Sequence, residues 1–127
     1  MNKNLSITAF LGITAIILGA FASHSLKEKL TPDAMSSLET AIRYQMYHVL
    51  VLLFVNTYQD FSAKLKRTAS LFFFLGILFF SGSIYAIYLL GVSAKSIWFI
   101  TPLGGLLFII GWLLLFLFFI RKVINKK

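Results

Sequence analysis

The side chains best suited to chemistry lie within ten residues, 39–48, which combine a carboxylate, a guanidinium, an amide, two phenols and an imidazole. An imidazole takes up and releases protons near neutral pH, and ionisable groups inside a membrane are candidates for handling protons or ligands. This stretch runs directly into the apolar residues 49–55, a pattern typical of the mouth of a membrane helix. The candidate polar cluster comprises His24, Glu39, Arg43, Tyr44, Gln45, His48, Ser81 and Ser83.

Metal, haem and hydrolase chemistry fit these residues poorly. The chain has two histidines and no cysteine, and His24 and His48 stand in neither a Glu-x-x-His nor a His-x-x-x-His spacing. No acid–histidine–serine order suggests a hydrolase. We therefore predict a protein that is not an enzyme, with no metal site and no cofactor. A neutral His48 that is hydrogen-bonded to Ser81 or Ser83 on another helix would hold the helices together, so a structural role and a proton or ligand role both stay open.

The composition indicates a membrane protein. Of the 127 residues, 59% are hydrophobic and only 13% are charged, whereas about 25% are charged in soluble domains. The net charge of +8 comes from basic residues that flank the apolar runs in short clusters. Membrane proteins carry such clusters of Lys and Arg mainly on their cytoplasmic side. We predict the lipid bilayer as partner, with a homo-oligomer or another membrane protein as further partners, and no nucleic acid.

Four apolar runs predict one domain, residues 1–127, with four membrane spans at about 5–23, 41–58, 69–90 and 103–120. The predicted fold class is an all-α integral membrane protein whose four transmembrane helices form a compact bundle. A signal peptide cleaved after small residues near position 22 is the competing interpretation of the first run. Residues 60–68 carry three cations and are predicted to form a loop.

The second span is expected to continue an interfacial helical stretch. Thr31 is a suitable N-cap, Pro32 is suitable as the first helical residue, and Asp33 is favoured in the first turn. A helix from Pro32 to about Tyr58 would lie in the interface for two turns and then cross the membrane. Within it, Glu39 and Arg43 have the i, i+4 spacing of an ion pair.

Charge predicts the orientation. Four spans place both termini and the loop between the second and third spans on one side, which holds eight of the twelve Lys and Arg residues. The positive-inside rule then predicts a multi-pass protein of the bacterial inner membrane with both termini cytoplasmic. The eight are Lys3, Lys64, Lys66, Arg67, Arg121, Lys122, Lys126 and Lys127.

Small residues at helical spacing predict where helices approach closely. The candidate helix-packing residues are Gly12, Ala15, Gly19, Gly82, Gly104 and Gly111.

Counting residues along the spans predicts the depth of the polar cluster. His48 lies seven residues into its span, about 10 Å below the outer boundary at 1.5 Å per residue. Ser83 lies at a similar depth and His24 near the outer surface, so the polar residues of three helices are expected to converge in the outer half. The inner halves of all four spans hold almost no polar residues, which argues against a continuous transport path.

Four segments in order resemble one family: residues 18–27, 39–48, 80–85 and 100–112. They are similar to the small bacterial inner-membrane family catalogued as domain of unknown function 423, which has small eukaryotic transmembrane relatives. The resemblance covers roughly residues 5–120. It implies a four-helix inner-membrane protein and no particular activity.

These observations predict a non-enzymatic integral inner-membrane protein that stabilises the membrane or a membrane complex. The alternative is a small transporter or proton-coupled channel component that uses the outer-leaflet cluster of His24, Glu39, Arg43 and His48.

Overall fold

The computed structural model of the protein describes residues 2–126, in which four helices follow one another without any strand. The helices are α1 (Asn2–Leu26), α2 (Pro32–Thr57), α3 (Ala63–Leu89) and α4 (Ile100–Asn125). Two of them contain a π-helical turn, Ala22–Leu26 at the end of α1 and Ile77–Ser81 in the middle of α3. The all-α prediction is confirmed. Met1 and Lys127, the two ends of the predicted domain, lie outside the described residues.

Three of the four helices are long and apolar enough to cross a membrane. They are α1, α3 and α4, with 25, 27 and 26 residues, and about 20 apolar residues suffice for a crossing. Helix α2 is less apolar because it carries Gln45, His48 and Asn56, all of which are buried against the other helices. The crossing of α2 and the exact ends of the spans stay predictions.

Local chemistry sets the beginnings of α2 and α3. The Thr31 hydroxyl accepts the backbone N–H of Ala34 at 3.2 Å, and Pro32 is the first helical residue, as predicted. The predicted loop through residue 68 is wrong, because α3 begins at Ala63. The Ser62 hydroxyl caps it by accepting the N–H of Leu65 at 3.0 Å, so the three cations lie in the first turns of a helix.

The helices pack in two pairs joined at the centre. Helix α1 packs along α2, and α4 packs along α3, while α2 and α3 connect the pairs. The apolar core lies where α2, α3 and α4 meet, and large apolar side chains on the outer surface are left exposed, as expected for a bundle surrounded by lipid. The core includes Leu52, Val55, Phe73, Ile77, Phe108 and Leu115.

Glycines bring α3 and α4 together. A Cβ added at Gly104 would lie 2.7 Å from the Cα of Phe80, and one at Gly111 would lie 2.7 Å from the ring of Phe73. Gly76, which the sequence analysis did not single out, faces the ring of Phe108 in the same way. At Gly104 an added side chain would press on the backbone of α3, whereas at Gly76 and Gly111 it would press on the ring of a phenylalanine.

The other predicted packing residues have more room. A Cβ at Gly12 or Gly19 would meet α2 side chains at 3.5 and 3.8 Å, which are ordinary contact distances, and Ala15 between them is buried. The face of α1 with small residues is thus turned towards α2 but is not compressed against its backbone. At Gly82 a Cβ would have only atoms of its own helix within 4 Å, among the described residues.

Both ends of the chain lie at the same end of the bundle. The Asn4 side chain of α1 donates to Asn56, near the end of α2, at 3.1 Å. Lys122, near the end of α4, forms an ion pair of 2.6 Å with Asp60 in the loop between α2 and α3. The shared end is what four antiparallel helices require.

The ion pair of Asp60 and Lys122 is expected to make stability slightly dependent on pH. The hydrogen bond from Lys122 holds the pKa of the Asp60 carboxyl below its ordinary value. Because the folded pKa is the lower one, the contribution is fully present at neutral pH and is lost as the pH falls through the folded value. We expect Asp60→Asn to lower the melting temperature only slightly at pH 7, since both side chains are solvent-exposed. The difference from the wild type should shrink as the pH falls below the ordinary pKa of aspartate, about 4, and a difference that stays constant on acidification would contradict this account.

Candidate functional site

Gln45 is the centre of a buried hydrogen-bond network that joins three helices. Its side chain is only 2% exposed. Its Nε2 donates to the carbonyl of Leu11 and to the hydroxyl of Thr14, both in α1 at 2.8 Å. Its Oε1 accepts the hydroxyl of Tyr85 in α3 at 2.7 Å. One amide therefore connects α1, α2 and α3.

His48 lies one turn further along α2 and connects it to α4. The ring is buried and stacks on Phe108, with 3.7 Å between ring centroids. The Trp112 indole N–H donates to His48 Nε2 at 3.1 Å, and His48 Nδ1 lies 2.7 Å from the Tyr44 carbonyl. An indole nitrogen can only donate, so Nε2 must be unprotonated and the ring proton is on Nδ1, donated to Tyr44. His48 is thus a neutral imidazole with both nitrogens engaged.

The prediction that Ser81 or Ser83 is the partner of His48 is wrong. Ser81 lies in the π-helical turn of α3 and donates to the Ala41 carbonyl at 2.7 Å. Ser83 donates to the carbonyl of Phe80 in its own helix at 3.0 Å and also pairs with Thr101 of α4. Both serines do bridge helices, but through groups other than the imidazole.

The structure divides the predicted polar cluster into two groups. Gln45, His48, Ser81 and Ser83 are buried within the bundle. The side chains of the remaining four are exposed, and among these residues only Tyr44 takes part in the buried group, through its backbone carbonyl. The four are His24, Glu39, Arg43 and Tyr44.

The predicted ion pair within the exposed group is not formed. Arg43 donates to the hydroxyl of Thr40 at 3.3 Å instead of contacting Glu39. Within residues 2–126 the only ion pair is that of Asp60 and Lys122. The side chains of His24, Glu39 and Arg43 are therefore surface groups and not part of the buried network.

A second buried polar group lies nearer the ends of the chain, around Asn56. Asn56 is 1% exposed. Its Nδ2 donates to the Ser70 hydroxyl and to the Leu52 carbonyl, both at 2.9 Å, and its Oδ1 accepts the side chain of Asn4 at 3.1 Å. The expectation of inner halves almost without polar residues is wrong here. The spacing of Asn56, eleven residues after Gln45, places both on one helix face and could have revealed it.

The two polar groups are separated by apolar side chains. Eleven residues of helix separate Gln45 from Asn56, about 16 Å at 1.5 Å per residue. Leu52 and Phe73 are fully buried at 0% exposure, and Ile77 is 5% exposed. Thr8 of α1 is also fully buried and donates to the Asn4 carbonyl at 2.7 Å, but in the described part of the chain no side-chain hydrogen bond joins it to Gln45.

Both groups are satisfied by the protein itself. Within residues 2–126, every buried side-chain nitrogen and oxygen has a hydrogen-bond partner. The same residues contain no group of three or more histidine, aspartate or glutamate side chains placed to hold a metal ion. The arrangement is chemically suited to fixing helices against one another.

Comparison with known proteins identifies the family. A family model described as "Protein of unknown function (DUF423)" matches residues 18–105. The chain belongs to this family. The DUF423 match includes the segment with Gln45 and His48 and the π-helical turn with Ser81, but it ends before Trp112.

Several relatives of the chain are named as membrane proteins, and the chain itself is, consistent with them, an integral membrane protein of unknown role. The UPF0382 membrane protein of Haemophilus influenzae is 40% identical over 112 residues, which cover 88% of this chain and 89% of that protein. A UPF0382 membrane protein of Staphylococcus haemolyticus is 42% identical over a match that covers 91% of this chain and 93% of that protein. The UPF0382 inner membrane protein YgdD of Escherichia coli is 32% identical over a match that covers 92% of this chain and 88% of that protein. No solved structure matches the chain significantly.

Proposed function

We propose that this DUF423 protein is a non-catalytic protein of the bacterial inner membrane whose helix bundle stabilises the membrane or a membrane complex. The observation that carries the proposal is the complete pairing of buried polar atoms within residues 2–126. A catalytic or transport site needs a group that is free to bind a substrate or a proton. The imidazole of His48, the best candidate, has both nitrogens engaged by Tyr44 and Trp112.

The proposed orientation has both termini in the cytoplasm. The shared end of the bundle carries the basic residues of α1, of the first turns of α3 and of the end of α4. Lys and Arg beside membrane spans favour the cytoplasmic side. The E. coli relative is named an inner membrane protein, which supports the same location for this chain.

A transport or proton-coupled role receives less support. That alternative needs His24, Glu39 and Arg43 to act together with His48, but these three side chains are exposed and His48 is buried. It also needs a continuous polar path through the bundle. The two buried polar groups are separated by apolar side chains, among them the fully buried Leu52.

Two variants of His48 test the structural role in cells. His48→Gln keeps a donor for the Tyr44 carbonyl and an acceptor for the Trp112 N–H. His48→Leu leaves the indole N–H without an acceptor, at a cost of about 1–3 kcal/mol. Under detergent stress, we expect a bacterial strain that lacks its own DUF423 protein to admit a membrane-impermeant dye faster than a strain that has it. Exclusion of the dye is the membrane barrier that the variants are tested for restoring. His48→Gln should melt near the wild type and restore the barrier, whereas His48→Leu should melt lower and restore it only in proportion to folded protein.

Proteoliposomes separate this role from proton handling. We expect vesicles with wild-type protein to dissipate an imposed pH gradient no faster than empty vesicles. A His48→Gln protein that folds like the wild type but fails to restore the barrier would refute the structural role. A proton flux that His48→Gln abolishes would refute it as well.

A further inference from the structure

We propose that a basic pocket at the shared end of the bundle binds the phosphate group of an anionic ligand. The cavity has a volume of about 440 Å³, within the ~300–1,000 Å³ range of ligand sites. Three helices form it, because its residues come from the first turns of α1, the end of α2 and the first turns of α3. The lining residues are Lys3, Asn4, Asn56, Ala63, Lys66 and Arg67.

The cations of the basic pocket have no protein counter-charge. Lys3, Lys66 and Arg67 lie around one cavity, and none of them is in the single ion pair found within residues 2–126. Three positive side chains held around a cavity repel one another unless an anion is bound between them. The carboxylates that could neutralise them are absent from the lining of the pocket.

The backbone adds to the positive potential. Ala63 is the first residue of α3, and the first turn of this helix has no acidic residue. The N-terminal end of a helix carries a partial positive charge, so cations there are unfavourable and an anion is favoured. The first turn of α1, which contributes Lys3 and Asn4, has no acidic residue either.

The floor of the basic pocket is fixed in place. Asn56 is 1% exposed and is held by Leu52 and Ser70, and it accepts the side chain of Asn4. This amide pair ties α1 to α2 beneath the cations. The pocket is therefore a built cavity with a buried polar floor and is not merely a charged surface.

Phosphate matches this chemistry best, and a phospholipid headgroup is the source that the location favours. Arg pairs with phosphate through two parallel hydrogen bonds, and Lys adds a point charge. The pocket opens at the shared end of the bundle, which the proposed orientation places at the cytoplasmic surface of the membrane, and basic pockets between membrane helices bind anionic headgroups. Free phosphate carries the same chemistry, so the test includes both.

Native mass spectrometry of the full-length protein in a neutral detergent tests the proposal. The probes are dioleoylphosphatidylglycerol, zwitterionic dioleoylphosphatidylcholine and inorganic phosphate. The pocket variant is Lys66→Gln/Arg67→Gln, and its matched control is Lys126→Gln/Arg121→Gln, which removes one Lys and one Arg from the same end of the bundle. We expect one phosphatidylglycerol per chain, bound about 10–30-fold more weakly by the pocket variant. The control should weaken binding less than about threefold, because neither Arg121 nor Lys126 lines the pocket and solvent-exposed charges act on it only through screened interactions.

Each outcome decides the proposal. Phosphatidylglycerol binding that inorganic phosphate does not displace assigns the site to a lipid headgroup, whereas binding of inorganic phosphate alone assigns it to a free anion. Either result supports a phosphate site in the basic pocket, provided that the pocket variant loses the binding and the control variant keeps it. Equal losses in the two variants, equal binding of phosphatidylcholine, or the absence of saturable one-to-one binding would each overturn it. Unchanged melting temperatures of both variants will show that the losses do not reflect unfolding.

Discussion

Gly104→Ala is expected to force α3 and α4 apart. The added Cβ would lie 2.7 Å from the Cα of Phe80 and 2.8 Å from the carbonyl carbon of Phe79. These are backbone atoms, which cannot rotate away as the end of a side chain can, so one of the two helices must shift. Overpacking of this kind costs about 1–3 kcal/mol or more. We expect a clear loss of stability, measured as the midpoint of unfolding when dodecyl sulfate is titrated into neutral detergent micelles.

The next residue provides the control for Gly104→Ala. A Cβ at Gly105 would lie 3.9 Å from the ring of Phe80, which is an ordinary contact. Replacing glycine by alanine inside a helix otherwise stabilises it by about 0.5–1 kcal/mol. Gly105→Ala should therefore be neutral or stabilising, and similar losses in the two variants would show that α3 and α4 do not approach as closely as the structure has them.

The elements of the fold that depend on local chemistry could be predicted from the sequence. Thr31 and Pro32 define the start of α2 through a side-chain cap and a fixed φ, both of which act within one turn. The start of α3 was missed although Ser62 caps it in the same way. A cluster of cations after Ser62 favours a loop on composition alone, but cations are equally compatible with the first turns of a helix, where the structure has them.

The pairing of side chains across helices could be predicted only in part. Counting residues along α2 leads to the expectation that His48 has a partner on another helix, and the indole N–H of Trp112 is a donor that needs an acceptor. Neither depth nor spacing specifies which helices are neighbours or how each is rotated about its axis. The buried His48 and the half-exposed Trp112 meet because α4 packs beside α3 at the level of His48, with Phe108 stacked on the imidazole.

Gln45→Met is expected to be the most damaging replacement of a polar side chain. Methionine has a similar shape, so the packing volume is retained while three hydrogen bonds are lost. Hydrogen bonds between membrane helices are worth about 0.6 kcal/mol on average, and a buried hydroxyl without a partner costs about 1–3 kcal/mol more. We expect a loss of about 3–5 kcal/mol in the same unfolding titration. Gln59→Met is the control, because Gln59 is exposed in the loop after α2 and should be replaced without loss.

A second substitution tells whether the loss arises from the hydrogen bonds. Tyr85 donates its hydroxyl to Gln45, so Gln45→Met leaves that hydroxyl unpaired and Tyr85→Phe removes it. When both partners of a hydrogen bond are replaced by apolar groups, the penalty for an unpaired group disappears. The double variant should therefore lose less stability than the sum of the two single variants, by about 1 kcal/mol. Strictly additive losses would mean that Gln45 acts through packing alone and that the amide does not hold α1, α2 and α3 together.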